Sequence, residues 1–336
     1  MTPKERILGI LRGDRSMRPV LWIPVNGTVT EGMDACGAAW PHAHWDPALM
    51  ARLAEATYEL TGCPTCTIPF CLTLEAEALG AGVGLGTRST QPQVKRHLEV
   101  SMDAFTPPSD FLARGRIPVV LEAVERLARS TGRVQPVNMK IVGPFTLAAA
   151  LFGAEALLLA TIDDPEGVAR LLDRLLPFSV ELARAALARG ADVITVPDPV
   201  ASGDLISPVM YAELVLPAHV SLLSQIDAPR VLHICGDTAA QIPHIRRAGV
   251  HAFSFEEKVP VRQARAALGE GIGAIGNLSA FGALLTGSPD AVRSEARRCL
   301  ADGIDVLSSG CGLSPLSPLD NVRALVEAVK EHEARP

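Results

Sequence analysis

Eight short apolar runs recur along the chain, separated by amphipathic stretches of helical character. The runs lie at 19–25, 65–70, 137–142, 192–196, 230–234, 251–255, 272–275 and 305–309. Strands buried on both faces read this way, as continuous Val/Ile/Leu-rich segments. The stretches at 47–61, 117–130, 208–225, 239–248, 260–268 and 289–301 read as helices. In the first of them Leu49, Leu53, Ala56 and Leu60 fall at helical spacing. Asp164-Pro165 opens a further helix with a capping Asp and a first-turn proline, and Pro177 is expected to interrupt it before it resumes to Ala188. Strand and helix alternating over 336 residues predict an α/β fold, a (β/α)8 TIM barrel. A single domain over 1–336 is expected, with the amphipathic helix of the first dozen residues as an N-terminal extension.

The competing architecture is a doubly wound sheet with a glycine-rich phosphate loop. GAGVGLG at 80–86 resembles such a loop, but it follows the helical LTLEAEAL and no helix follows it directly. The segment 87–111, with Pro92, Pro107 and Pro108, reads as a loop excursion. The most apolar stretch, 146–162, is broken by Gly153 and Glu155 and reads as buried loop or helix, not as a membrane span. With 31 basic and 37 acidic residues the net charge is -6, which argues against a nucleic-acid partner. Seven irregularly spaced cysteines without a visible secretory leader point to thiol or metal chemistry in a reducing cytoplasm.

The sharpest local pattern is VLHICGDT at 231–238. His233 and Cys235 alternate with apolar residues near a strand's C-terminal end. Side chains two apart on a strand share a face, so the imidazole and the thiol converge. Both are preferred zinc ligands. VLSSGCGLSP at 306–315 ends another strand in Cys311, between Gly310 and Gly312, which permit close backbone approach. In a barrel both strand ends open on one face, where active sites lie. AFSFEEKV at 252–259 sends Glu256 toward the same mouth, as a fourth ligand able to give way to substrate; Glu257 is the alternative. Asp198, after the 192–196 run, is expected to line this mouth. It either orients a ligand or bound water, or fixes a loop or helix end.

Other candidates carry less. Cys63-Pro-Thr-Cys66 with Cys71 has the spacing of a redox or metal pair but lacks a second pair. His42 and His44 in WPHAHW read as an active-site loop without a metal role. No Ser-His-Asp order or nucleophile elbow is evident.

With these residues in view, the chain resembles the uroporphyrinogen decarboxylase superfamily, and within it the branch of methylcobalamin:coenzyme M methyltransferases and related corrinoid-dependent enzymes. The resemblance runs over nearly the whole chain. It includes RPV at 18–20, WPHAHWDPALMA at 40–51, IPFCLTLEAEALGAGVGLG at 68–86, VGPFTLAA at 142–149, PDPVASGDLISP at 197–208, LHICGDT at 232–238 and GCGLSP at 310–315. The most specific part is the His-x-Cys with a distant Cys, which in that branch is the zinc site. The resemblance therefore implies His233, Cys235 and Cys311 as zinc ligands. The acidic Glu256 is similar in position to the fourth zinc ligand of cobalamin-independent methionine synthase.

The implied activity is zinc-dependent methyl transfer from methylcobalamin, presented by a corrinoid carrier protein, to a thiol. No Asp-x-His-x-x-Gly corrinoid signature is present in the chain itself. The acceptor is left open between coenzyme M, another thiol and tetrahydrofolate, and so is the direction of transfer. Lys140 and Asn277 are candidate partners for a sulfonate. Two rivals stand beside this reading. A decarboxylase would need an Arg-Gln-Ala-Gly-Arg motif to grip propionates, and the matching segment WIPVNGTVTEG at 22–32 has no arginine. A non-catalytic zinc barrel would close its metal with four protein ligands.

Overall fold

All eight apolar runs form strands of one parallel sheet in the computed structural model, which describes residues 1–17 and 19–334. They are β1 (Val20–Leu21), β2 (Thr67–Ile68), β3 (Asn138–Lys140), β4 (Val193–Pro197), β5 (Arg230–His233), β6 (Ala252–Ser254), β7 (Gly273–Leu278) and β8 (Val306–Ser309). Arg18, which opens the RPV segment, lies outside the described residues. Each strand from β2 to β8 pairs with its neighbour in the chain, and β8 pairs with β1. The remaining seam is tied where Ile23 donates its amide to the Pro64 carbonyl at 3.1 Å. There the Asn138 side chain also donates to the Pro24 carbonyl at 2.7 Å. The architecture is the expected (β/α)8 barrel.

The barrel interior changes character along its axis. At the start of the strands Val20, Val193, Val231, Ala252 and Val306 form an apolar floor. Helix α1 (Pro3–Leu11) plugs this end with Ile7, Ile10 and Leu11. Its start is well specified: the Thr2 hydroxyl accepts from the Glu5 amide, Glu5 accepts from the Thr2 amide at 2.7 Å, and Pro3 occupies the first turn. Two residues further along, the same inward faces carry Thr195, His233, Ser254 and Ser308. The interior is thus apolar at the floor and polar toward the C-terminal mouth.

Three local expectations are corrected. Pro177 does not interrupt its helix, which runs unbroken as Pro165–Ala188. An internal proline costs about 3 kcal/mol. Burial of Leu171, Leu172, Leu175, Val180 and Leu182 along the same helix outweighs it. The 87–111 segment is not wholly loop, because Gln93–Arg96 pairs antiparallel with Gly82–Gly84. The glycine run is therefore a hairpin strand outside the barrel and not a phosphate loop. The 239–248 stretch is helical only over Ile242–Ile245.

The apolar 146–162 stretch falls within two helices, Pro144–Phe152 and Ala154–Asp163, bent by 111° at Gly153. Among the described residues no single helix is long and apolar enough to cross a membrane.

Candidate metal centre

Strand β5 places His233 on its inward face, two residues above Val231 of the floor. The chain then leaves the barrel through Ile234, Cys235 and Gly236. Gly236 has φ 80°, and a Cβ there would meet Ser202 Oγ and Asp204 Oδ2 at 2.3 Å. Glycine is required for this turn, and the turn sets Cys235 beside His233. On the other side, β8 ends at Ser309 and Gly310 leads into Cys311. A Cβ on Gly310 would lie 2.9 Å from Glu256 Cα. Its glycine therefore serves the approach of the Glu256 loop to Cys311.

The three predicted ligands come together. His233 Nε2 lies 3.0 Å from Cys235 Sγ, and Cys235 Sγ lies 3.4 Å from Cys311 Sγ. All three ligand atoms fall within 4.8 Å of one another. A tetrahedral zinc with Zn–S of about 2.3 Å sets two sulfurs about 3.8 Å apart, so the set is only a few tenths of an ångström tighter than the ion requires. The cysteines are not disulfide-bonded. A hydrogen bond from Cys235 holds the Cys311 thiol well below its ordinary range, with His233 helping, while the same bond pushes the Cys235 thiol up. One nitrogen and two sulfurs at a barrel mouth match zinc's donor preference.

Ser254 completes the histidine's surroundings, and sequence reasoning missed it. Its hydroxyl lies 2.9 Å from His233 Nδ1, which leaves Nε2 facing the sulfurs. Adjacency in register, His233 opposite Ser254, is what joins them. The expected fourth ligand, Glu256, does not join the three-donor cluster. Its carboxylate charge helps push the Cys235 thiol up. Glu257 turns outward and accepts from the Ser279 hydroxyl at 2.8 Å.

Asp198 sits beside the centre, its amide donating to the His233 carbonyl at 2.9 Å. Its carboxylate is fully buried and already engaged. It accepts from the Phe145 and Thr146 amides at the start of Pro144–Phe152, from the Thr146 hydroxyl at 2.5 Å, and pairs with His219 Nε2 at 2.8 Å. Tyr211 OH in turn lies 3.0 Å from His219 Nδ1. The geometry is that of a helix cap and brace. Asn277 is likewise occupied, donating to the Glu256 and Val259 carbonyls and accepting from Cys299. It supports the Glu256 loop.

A second polar cluster lies across the mouth. Lys140 ends β3 and is 3% exposed, and burial lowers its pKa to about 8. Glu75 is fully buried, with one oxygen accepting from the Val142 amide at 2.7 Å and the other unpartnered, and burial raises it to about 7. Arg116 is held by Glu77, Thr73 and Cys71. His44 is buried against Trp40 and Phe70 with neither ring nitrogen hydrogen-bonded, and burial lowers it to about 3. His42 is exposed, and neither histidine joins the metal cluster. Cys63 and Cys66 are buried unoxidised thiols, pushed up by burial.

Methylcobamide:CoM methyltransferase MtaA of Methanosarcina barkeri is 36% identical over 339 residues, 99% of each chain. A methylated-thiol–coenzyme M methyltransferase of Methanosarcina mazei is 36% identical over 98% of this chain and 90% of its own length. A solved methyltransferase from Methanosarcina mazei superposes with a TM-score of 0.96 at 36% identity, covering 99% of this chain and all of that one. The model of the uroporphyrinogen decarboxylase (URO-D) family matches residues 2–332. With both the barrel and its sequence matched almost end to end, the chain belongs to the uroporphyrinogen decarboxylase family.

Proposed function

We propose that this chain is a corrinoid-dependent methyltransferase that moves a methyl group from a methylcorrinoid, held on a separate carrier protein, to the thiol of coenzyme M. Residues 1–336 act as one domain in this reading, in the cytoplasm, without nucleic acid or membrane. The observation that carries it is the convergence of His233 Nε2, Cys235 Sγ and Cys311 Sγ within 4.8 Å at the barrel mouth. Full-length relatives named for methyl transfer to coenzyme M support it.

His233, Cys235 and Cys311 would hold zinc, with Glu256 as the fourth, replaceable ligand. When bound, zinc supplies Lewis acidity that keeps a coordinated substrate thiol deprotonated near neutral pH. Ser254 fixes the His233 ring so that Nε2 faces the sulfurs. Asp198 acts as a positioning residue, bracing the strand end that carries His233. In the transfer itself an S–C bond forms, and the electron pair of the broken Co–C bond stays on cobalt. A thiol is preferred to tetrahydrofolate because both relatives are named for coenzyme M. Decarboxylation is disfavoured by the absence of arginine from residues 22–32. A purely structural zinc is disfavoured by a cluster of three donors, which leaves a position for substrate.

The test is elemental analysis of untagged protein beside His233→Ala and Cys311→Ser. One zinc per chain, lost in both variants, is expected. Methylcobalamin with coenzyme M should then show the loss of the methyl-cobalt spectrum. Wild-type protein without zinc after reconstitution removes the proposal.

A further inference from the structure

We propose that Asn26 is the positioning residue for Cys311, clasping the segment that carries this ligand from the opposite end of the chain. The inference rests on the metal-dependent methyl-transfer reading and adds to it the side chain on which the third ligand depends.

The three ligands are supported in different ways. His233 belongs to β5 and is fixed by the sheet. Cys235 follows directly and is set by the Gly236 turn. Cys311 lies beyond the end of β8, in a segment, 310–318, that is neither helix nor strand. Such a segment holds a ligand in place for a metal only when its neighbours clamp it. On one side of Cys311 the Gly310 amide donates to the Leu278 carbonyl at the end of β7, at 2.7 Å. On the other side the clamp is Asn26.

Asn26 grips both backbone groups of Leu313. Its carbonyl accepts from the Leu313 amide at 2.8 Å, and its side-chain Nδ2 donates to the Leu313 carbonyl at 3.3 Å. The approach is close, since a Cβ on Gly312 would lie 2.9 Å from Asn26 Cβ. Gly312 is not in the left-handed conformation, so glycine is required there by the nearness of Asn26. The clasp extends the β1–β8 seam past the strands: the Trp22 amide donates to the Leu307 carbonyl before it, and the Thr30 amide donates to the Pro315 carbonyl after it. Asn26 and Leu313 are both buried. A Leu313 carbonyl that loses its side-chain donor therefore has to move to find another. Cys311 is tied to that movement through Gly312 alone, whereas His233 and Cys235 are not. Removing Asn26 should accordingly loosen one sulfur of the centre and leave the other two ligands in place.

The experiment compares the wild type with Asn26→Ala and with Asn26→Leu, which keeps the side chain's volume but has no donor. Zinc affinity is measured by competition with a chelator. Cobalt(II) is loaded in place of zinc, and its thiolate charge-transfer band is recorded. Hydrogen exchange of the 310–316 peptide is followed in metal-free protein. Zinc affinity is expected to fall about tenfold in both variants. The cobalt band is expected to weaken, as for loss of one of two thiolates, and exchange at 310–316 is expected to quicken about tenfold while the barrel strands keep their protection. Wild-type affinity and an unchanged cobalt band in both variants overturn the assignment. Exchange that quickens throughout the barrel overturns it as well, because Asn26 would then serve general stability. If the wild type binds neither zinc nor cobalt, the metal reading fails, and exchange at 310–316 alone then decides whether Asn26 holds the Cys311 segment.

Discussion

The imidazole of His233 is held from behind by Ser254, whose hydroxyl lies 2.9 Å from Nδ1 while Nε2 faces Cys235 at 3.0 Å. The pair spans neighbouring strands in direct register, so the ring's orientation is a property of the sheet and not of a loop. Removing such an outer partner typically costs 10–100-fold in metal affinity, so Ser254→Ala should weaken zinc binding by roughly that factor. Competition against a chelator of known affinity measures it. Unchanged affinity would mean that packing alone orients His233.

Asp198 offers a different balance of roles. Its carboxylate receives the Phe145 and Thr146 amides and the Thr146 hydroxyl, and it pairs with His219. In Asp198→Asn the amide nitrogen has to face donors, leaving at least one buried group unpaired. A loss of about 2–3 kcal/mol in urea denaturation is expected, with zinc retained. Intact stability with methyl transfer abolished would instead assign Asp198 a direct part in the chemistry.

The barrel was legible because each buried strand leaves a compact apolar run, and the convergence of His233 and Cys235 was legible from their spacing of two, although the strand ends at His233 and the turn at Gly236 is what sets Cys235 beside it. Ser254 was not, since nothing local distinguishes a serine that faces a histidine 21 residues away. The cluster of His44, Glu75, Arg116 and Lys140 was hidden for the same reason: it assembles only when β2 and β3 and the segments beside them close around the mouth. Pro177 misled because local propensity was weighed without the leucines that bury the helix. Asp198 was placed near the mouth by its strand, yet its partners come from the 143–146 turn, and a one-dimensional pattern does not show which of its oxygens are already engaged.

Glu75 makes the stability pH-dependent. Burial raises its carboxyl from 4.5 to about 7. A group raised in the folded state favours folding when protonated, so its contribution is whole below pH 4.5, declines between 4.5 and about 7, and is flat above. The span corresponds to about 3 kcal/mol. Glu75→Gln keeps an oxygen for the Val142 amide and removes the titration. The variant should match the wild type near pH 4.5 and exceed it by up to that amount at pH 8, measured by urea denaturation across the range. Parallel curves for the two proteins would show that Glu75 is ionised at little cost in the fold.

In the proposed reading Glu256 is the replaceable ligand. Its charge acts on Cys235, whereas Glu257 accepts from the Ser279 hydroxyl. If zinc is held by the two thiolates and the Glu256 carboxylate, the centre would carry a net negative charge, and the carboxylate would be the ligand an incoming thiolate most readily replaces. Glu256→Gln keeps the side chain's length and removes its charge. His233, Cys235 and Cys311 remain, so one zinc per chain should be retained, with affinity lower by about tenfold. An added thiol should bind the metal more readily, because it no longer competes with a charged ligand. Zinc lost entirely in this variant would mark a closed site in which the carboxylate is structural. Glu257→Gln is the control: an effect equal to that of Glu256→Gln on both affinity and thiol binding would show that the loop's acidity, and not a ligand at Glu256, governs the centre.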